Sequence, residues 1–177
     1  VLNIVLYCKT LKINITTMKK KGFINKFFQN ARKTEGFLGK MILRGMNKGH
    51  APLARWARSC LVWQPAWNTL DIGCGANLSE ILKLCPKGYV HGIDISHESV
   101  VFARKKNMKH LGTRCFVDQG SADQLPYADC SFDVVTAFET IYFWGDLNRA
   151  FIEVKRVLKD NGFFLICCEA SDPTNEI

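Results

Sequence analysis

Leu70-Asp71-Ile72-Gly73-Cys74-Gly75-Ala76-Asn77 is the stretch of this chain whose residue types could do chemistry. Two glycines two apart, just behind an acid, let a small ligand lie against bare backbone. Nineteen residues past Gly75, the apolar run Tyr89-Val90-His91-Gly92-Ile93 ends in Asp94. A carboxylate at a strand tip can accept hydrogen bonds from ribose hydroxyls, so loop and acid together predict a ligand that carries a ribose. Those residues need a scaffold. Trp67-Asn68-Thr69-Leu70 reads as the end of a buried strand, and Asn77-Leu78-Ser79-Glu80 has the spacing of a helix N-cap with an acid three residues on. Strand, glycine turn and helix open a nucleotide-binding βαβ unit.

The spacing bears on which nucleotide. A dinucleotide fingerprint, G-x-G-x-x-G, would put its third glycine at Leu78, whose side chain obstructs the close helix–strand packing that glycine permits. The S-adenosylmethionine (SAM) pattern, acid-x-G-x-G-x-G, is met by Asp71, Gly73 and Gly75, with Asn77 in place of the last glycine. Asn enters the left-handed region more readily than most side chains, and its amide can cap the following helix.

Leu70 to Asn77, Gly92-Ile93-Asp94, Leu125-Pro126-Tyr127, Ser131-Phe132-Asp133-Val134-Val135 and Arg156-Val157-Leu158-Lys159-Asp160-Asn161-Gly162 occur in that order. Together they resemble the class I SAM-dependent methyltransferases, above all the small-molecule enzymes of ubiquinone and menaquinone biosynthesis. The resemblance covers roughly Asn68 to Glu169. It implies an α/β fold with a Rossmann-like, mostly parallel sheet, preceded here by N-terminal helices. The family usually carries seven strands and five are countable before Ile177, so the chain reads as truncated after strand five, with one edge of that strand open unless Val1 to Thr17 covers it, for which no sequence feature speaks.

The resemblance also implies roles. Asp71 orders the loop or meets the cofactor's amino group, Gly73 and Gly75 touch its methionyl and ribose parts, and Asp94 with Ile95 takes the ribose. Ser121-Ala122 lies at the adenine, with Ser121 where the family usually has Asp; Asp123, two along, is an alternative. Phe138 follows strand four beside the methionyl end. Beyond it Glu139 could take a proton from the acceptor or attract a cationic one, and Tyr142 could flank the sulfonium. Equally, Glu139 could be a helix-start carboxylate and the aromatics core. His50 and Trp56 belong to a helix that in relatives lies over the pocket; packing or capping would also account for them. Glu139, Tyr142 and His50 are thus the catalytic candidates, and no metal is expected.

At 177 residues the chain suits a single SAM-binding domain over 67–177, lacking the usual last strands, behind a basic helical segment over 18–66. Residues 1–60 hold thirteen Lys and Arg against Glu35 alone, so the excess behind the net charge of +8 belongs to the front segment. Ile24, Phe27, Phe28 and Ala31, then Leu38, Met41 and Ile42, recur at helical spacing. The basic faces of these helices are either solvated or suited to peripheral membrane contact. No aromatic-basic recognition motif points to nucleic acid. Residues 1–17 read as an upstream or disordered extension, with translation starting at Met18. The eight cysteines form no C-x-x-C pair, which excludes a zinc ligand set of ordinary spacing and fits free thiols in a reducing cytoplasm. Two rivals stay open: a SAM-binding module without turnover, and a nicotinamide dehydrogenase.

Overall fold

The computed structural model describes residues 3–7 and 51–168. These contain a six-stranded sheet built from β1 (Asn3–Tyr7), β2 (Thr69–Ile72), β3 (Val90–Asp94), β4 (Cys115–Gln119), β5 (Phe132–Phe138) and β6 (Leu158–Cys167). Spatial order is β1-β6-β5-β2-β3-β4, and every pairing is parallel. Helix α1 covers 51–59, followed by α2 (Leu78–Leu84), α3 (His97–Lys106), a short 3-10 turn (Ile141–Phe143) and α4 (Leu147–Val157).

Burial explains why these segments take these forms. All four residues of β2 are buried, as are Val134 to Phe138 of β5, because helices cover both faces of a parallel sheet. On one face Leu78, Ile81 and Leu82 of α2 and Val100 and Ala103 of α3 pack on Val90, Cys115 and Val117. On the other, Ala150, Val154 and Val157 of α4 cover Leu70, Ile72, Val135, Phe164 and Ile166. Ser96 caps α3 by accepting from Ser99 N at 3.3 Å, and Asp146 caps α4 by accepting from Arg149 N at 3.0 Å. Both are residue types that favour this position, each standing one residue before its helix.

Two expectations meet a different structure. The edge expected to lie open on the fifth sequence strand, here β6, carries β1, which pairs from Asn3↔Phe163 to Tyr7↔Cys167. And Asn161-Gly162, a dipeptide of the type that marks turns, instead falls inside β6. There the partner of Phe132 is Leu158 while that of Val134 is already Phe163, so the intervening residues bulge, with Asn161 at φ +63°. The basic helices expected over 22–44 lie outside the described residues.

The chain runs β2, β3, β4 in one direction along the sheet and then returns to place β5 on the other side of β2. That reversal opens a crevice at the carboxyl ends of β2 and β5, where ligands of open α/β sheets bind.

Candidate functional site

From Ile72 the backbone leaves β2 through Gly73, at φ +80°, a left-handed conformation that glycine adopts without penalty. A β-carbon there would also collide with the Thr140 side chain, so β2 and the segment after β5 touch because this position carries none. The amides of Gly73 and Cys74 both donate to Ile93 O, at 2.8 and 3.3 Å, and Gly75 N donates to Gly73 O at 2.9 Å. Close packing behind the loop comes from Gly92 of β3, where a β-carbon would meet the Cys74 side chain and Leu78 Cδ1 at 2.7 Å. The bulky Leu78 is therefore accommodated by a glycine on the neighbouring strand.

Asn77 does not act as expected. Its backbone is right-handed (φ −73°), and its side chain makes no capping bond. Its Oδ1 instead accepts a hydrogen bond from Arg58 Nη1 at 2.9 Å. Arg58 comes from α1 and is 8 % exposed, with its guanidinium carbon 5.8 Å from the centre of the Phe138 ring. The face of α1 turned to the domain is Ala54, Ala57 and Arg58, the two alanines packing on Phe138, Leu165 and Cys167. Trp56, expected at the pocket wall or in the core, is 45 % exposed, because the buried stripe of α1 runs past it. His50 lies outside the described residues.

Two buried acids flank the loop. Asp71 accepts from Thr136 Oγ1 at 2.6 Å, which ties β2 to β5, while its Oδ2 is buried without a hydrogen-bond partner. Burial pushes its carboxyl up to about 7, against the opposing pull of the Thr136 bond and of Arg58. Of its two expected roles, ordering the loop suits a side chain closed to solvent. Asp94 ends β3 and accepts from Ser96 N at 2.8 Å. Burial raises it to about 6, against the opposing pull of the Ser96 and Ser99 bonds, which favour the anion.

Between α1 and the loop lies a cavity of about 750 Å³ lined by Ala54, Arg58, Gly73, Gly75, Asn77 and Phe138, among others. Of the expected cofactor contacts it brings together Gly73, Gly75 and Phe138. Asp94 ends β3 with Ile95 just after it, and Ser121-Ala122 follow β4, with Ala122 buried in the core; none of these four is among the residues lining the cavity. Glu139 sits just past β5 with its backbone at φ +56° and its amide donating to Cys167 O at 2.8 Å. A non-glycine residue held there costs on the order of 1–3 kcal/mol, a strain that concentrates at functional sites. Tyr142 lies on the 3-10 turn, packed against the core, with its ring edge-on to Phe143.

The amino end of β5, at the opposite edge of the sheet from the crevice, is built otherwise. Arg156 of α4 donates to Leu125 O, Tyr127 O and Asp129 and pairs with Glu153 through Nε and Nη2, while Glu153 Oε2 accepts from Leu125 N. This network clamps the loop that follows Ser121-Ala122.

The methyltransferase domain family matches residues 70–166. The chain is 33 % identical over 114 residues to a demethylmenaquinone methyltransferase of Halalkalibacterium halodurans, covering 63 % of this chain and 46 % of that protein. A Chlorobaculum tepidum protein of the same name is 31 % identical over 158 residues, covering 87 % and 62 %. The crystal structure of YcgJ from Bacillus subtilis aligns at 30 % identity with a TM-score of 0.56, covering 66 % of this chain and 50 % of that one. The chain thus spans about half the length of these relatives.

Proposed function

The chain belongs to the class I SAM-dependent methyltransferases, and from that premise we propose that it transfers a methyl group from SAM to a small-molecule acceptor. The observation that carries this reading is the cavity of about 750 Å³ laid against Gly73 and Gly75, with Asp94 ending the neighbouring strand. A ligand with a ribose and an amino-acid end fits that set: bare backbone at the loop, a carboxylate at the strand tip, a cation under α1. When bound, SAM supplies a methyl group on a sulfonium, which an oxygen, nitrogen, sulfur or carbon nucleophile displaces in line.

The residues of the chain do the rest. Gly73 and Gly75 admit the ligand to the backbone, Asp94 accepts from the ribose hydroxyls, and Asp71 fixes β2 against β5 beneath them. Ser121 offers the adenine amine a neutral hydroxyl, a contact weaker by about 1 kcal/mol than one to a carboxylate. Glu139 takes the proton of the acceptor, and Tyr142 flanks the reacting centre. Holding nucleophile and methyl in line contributes up to roughly 7 to 11 kcal/mol, so no conventional triad is needed. We place the reaction in the cytoplasm; among the described residues no helix is long and apolar enough to cross a membrane.

Calorimetric titration with SAM and NADH is the test. SAM binds and NADH does not; NADH binding with SAM silent would end the reading. Transfer from methyl-labelled SAM to quinone-like, phenolic and amine acceptors then distinguishes an enzyme from a non-catalytic binding module. Glu139→Gln should leave SAM affinity nearly intact and slow turnover by about 10²- to 10⁴-fold.

A further inference from the structure

Arg58 is a permanent cation almost wholly removed from water, with 8 % of its surface exposed. Buried charges in proteins are ordinarily paired, since an unpaired one forfeits its hydration without return. Yet its side-chain hydrogen bond goes to the neutral Asn77 Oδ1, and its other close neighbour is the Phe138 ring. Among the described residues no carboxylate lies within ion-pairing distance of it. Asp71 and Glu80 attract it from farther off, but Asp71 Oδ1 is bonded to Thr136 and Glu80 to Lys83 at 2.8 Å. The guanidinium therefore keeps donors of its planar fork unspent in the wall of the same cavity that Gly73 and Gly75 line.

We propose that Arg58 takes the carboxylate at the amino-acid end of the bound cofactor, a role that rests on the cofactor reading above. The direction of the ligand follows from the sheet. Asp94 and Ser121-Ala122 lie at the tips of β3 and β4 and receive ribose and adenine, which leaves the opposite end of the molecule to run past the glycine loop toward β2, β5 and α1. Arg58 stands there. A guanidinium fork and a carboxylate match in plane and spacing, and the pair neutralises a charge that no described residue meets at ion-pairing distance. The same placement explains Asn77: its side chain anchors the fork beside the loop, a task that glycine could not perform.

The test is calorimetric titration of the full chain with three probes: SAM, decarboxylated S-adenosylmethionine, which lacks the carboxylate, and 5′-methylthioadenosine, which lacks the amino-acid end altogether. The wild-type chain should bind SAM about 10- to 100-fold more tightly than the decarboxylated probe, the range expected of a charged hydrogen-bonded pair. Arg58→Met should erase that preference while leaving affinity for the other two probes unchanged, and Asn77→Gly should reduce it partway. Equal wild-type affinity for SAM and the decarboxylated probe overturns the proposal without recourse to any variant. So does a loss in Arg58→Met that is equal for all three probes, which would make Arg58 structural. Failure of all three to bind the wild-type chain would instead overturn the cofactor reading itself.

Discussion

Two flanks of the sheet, the crevice at the carboxyl ends of β2 and β5 and the loop leading into the amino end of β5, treat their polar groups in opposite ways. Around Leu125–Asp129 the donors and acceptors answer one another: Arg156 meets two backbone carbonyls and two carboxylates, and Glu153 returns a bond to Leu125 N. Around Gly73–Asn77 they do not. Among the described residues Arg58 is buried with no carboxylate at ion-pairing distance, Asp71 keeps an unpartnered buried oxygen, and burial raises the carboxyls of Asp71 and Asp94. A polar network that is complete within the protein stabilises the protein. One left incomplete costs stability, which is the expected state of a surface whose remaining partner is a ligand.

The harshest way to break this contrast is to fill the incomplete side with bulk. Gly73→Val forces a β-branched residue to φ +80° and drives its β-carbon into Thr140. The expected cost is about 3 to 5 kcal/mol of stability, with SAM binding lost, read by denaturant unfolding and calorimetry. Next in size is Arg156→Met, which cuts the complete network and should cost about 2 to 3 kcal/mol in the same unfolding experiment. SAM affinity should fall only as far as the 125–129 loop loosens. Unfolding midpoints unchanged by Arg156→Met would dissolve the distinction between the two flanks.

A smaller change acts with the reverse sign. Asp94→Asn removes a carboxyl that ionises at a cost, so at neutral pH the ligand-free protein should gain about 1 to 2 kcal/mol while SAM affinity falls about 10- to 100-fold. A variant that is both less stable and normal in SAM binding would place Asp94 in the structural class with Arg156.

The smallest effect is the pH dependence, and it separates the flanks by sign. Asp71 and Asp94 hold their protons to higher pH when folded, about 7 and about 6, than when unfolded, so the folded state binds the extra protons. Their contribution is fullest below about pH 4 and declines as pH rises toward 7. Glu153 is held below the usual glutamate range chiefly by its bond to Arg156, so its contribution is present above about pH 4.5 and fades in acid. Unfolding curves across pH 3 to 8 should therefore lose part of their decline toward neutrality in Asp94→Asn, the part due to Asp71 remaining, and part of their acid limb in Glu153→Gln. Identical profiles in both variants would show that neither flank titrates as described.

What the sequence conveyed about this site divides along physical lines. The bend at Gly73 and Gly75, the strand end at Asp94 and the caps at Ser96 and Asp146 follow local rules, because each is set by residues within a few positions of its own. Arg58 could not. It is one of thirteen basic residues in the first sixty, and only the packing of Ala54 and Ala57 on β5 and β6 turns it inward while Arg55 faces out. Asn77 departs from the glycine pattern, but local rules assign it a cap, and its actual partner lies nineteen residues away. The pairing of β1 with β6 has no local signal at all, since a strand's sequence does not name its neighbour.

That pairing has a consequence for the order of assembly. Asn3 meets Phe163 across about 160 residues, the whole length of the sheet's construction. During synthesis β1 emerges first among these strands and its partner last, so it must wait, unpaired, while β2 to β5 are made. Contacts of such sequence separation slow folding because the loop must close before the contact repays it, although the closure cost grows only logarithmically with length. The β1 strand should therefore be the final piece to dock, and the first to leave when the protein opens.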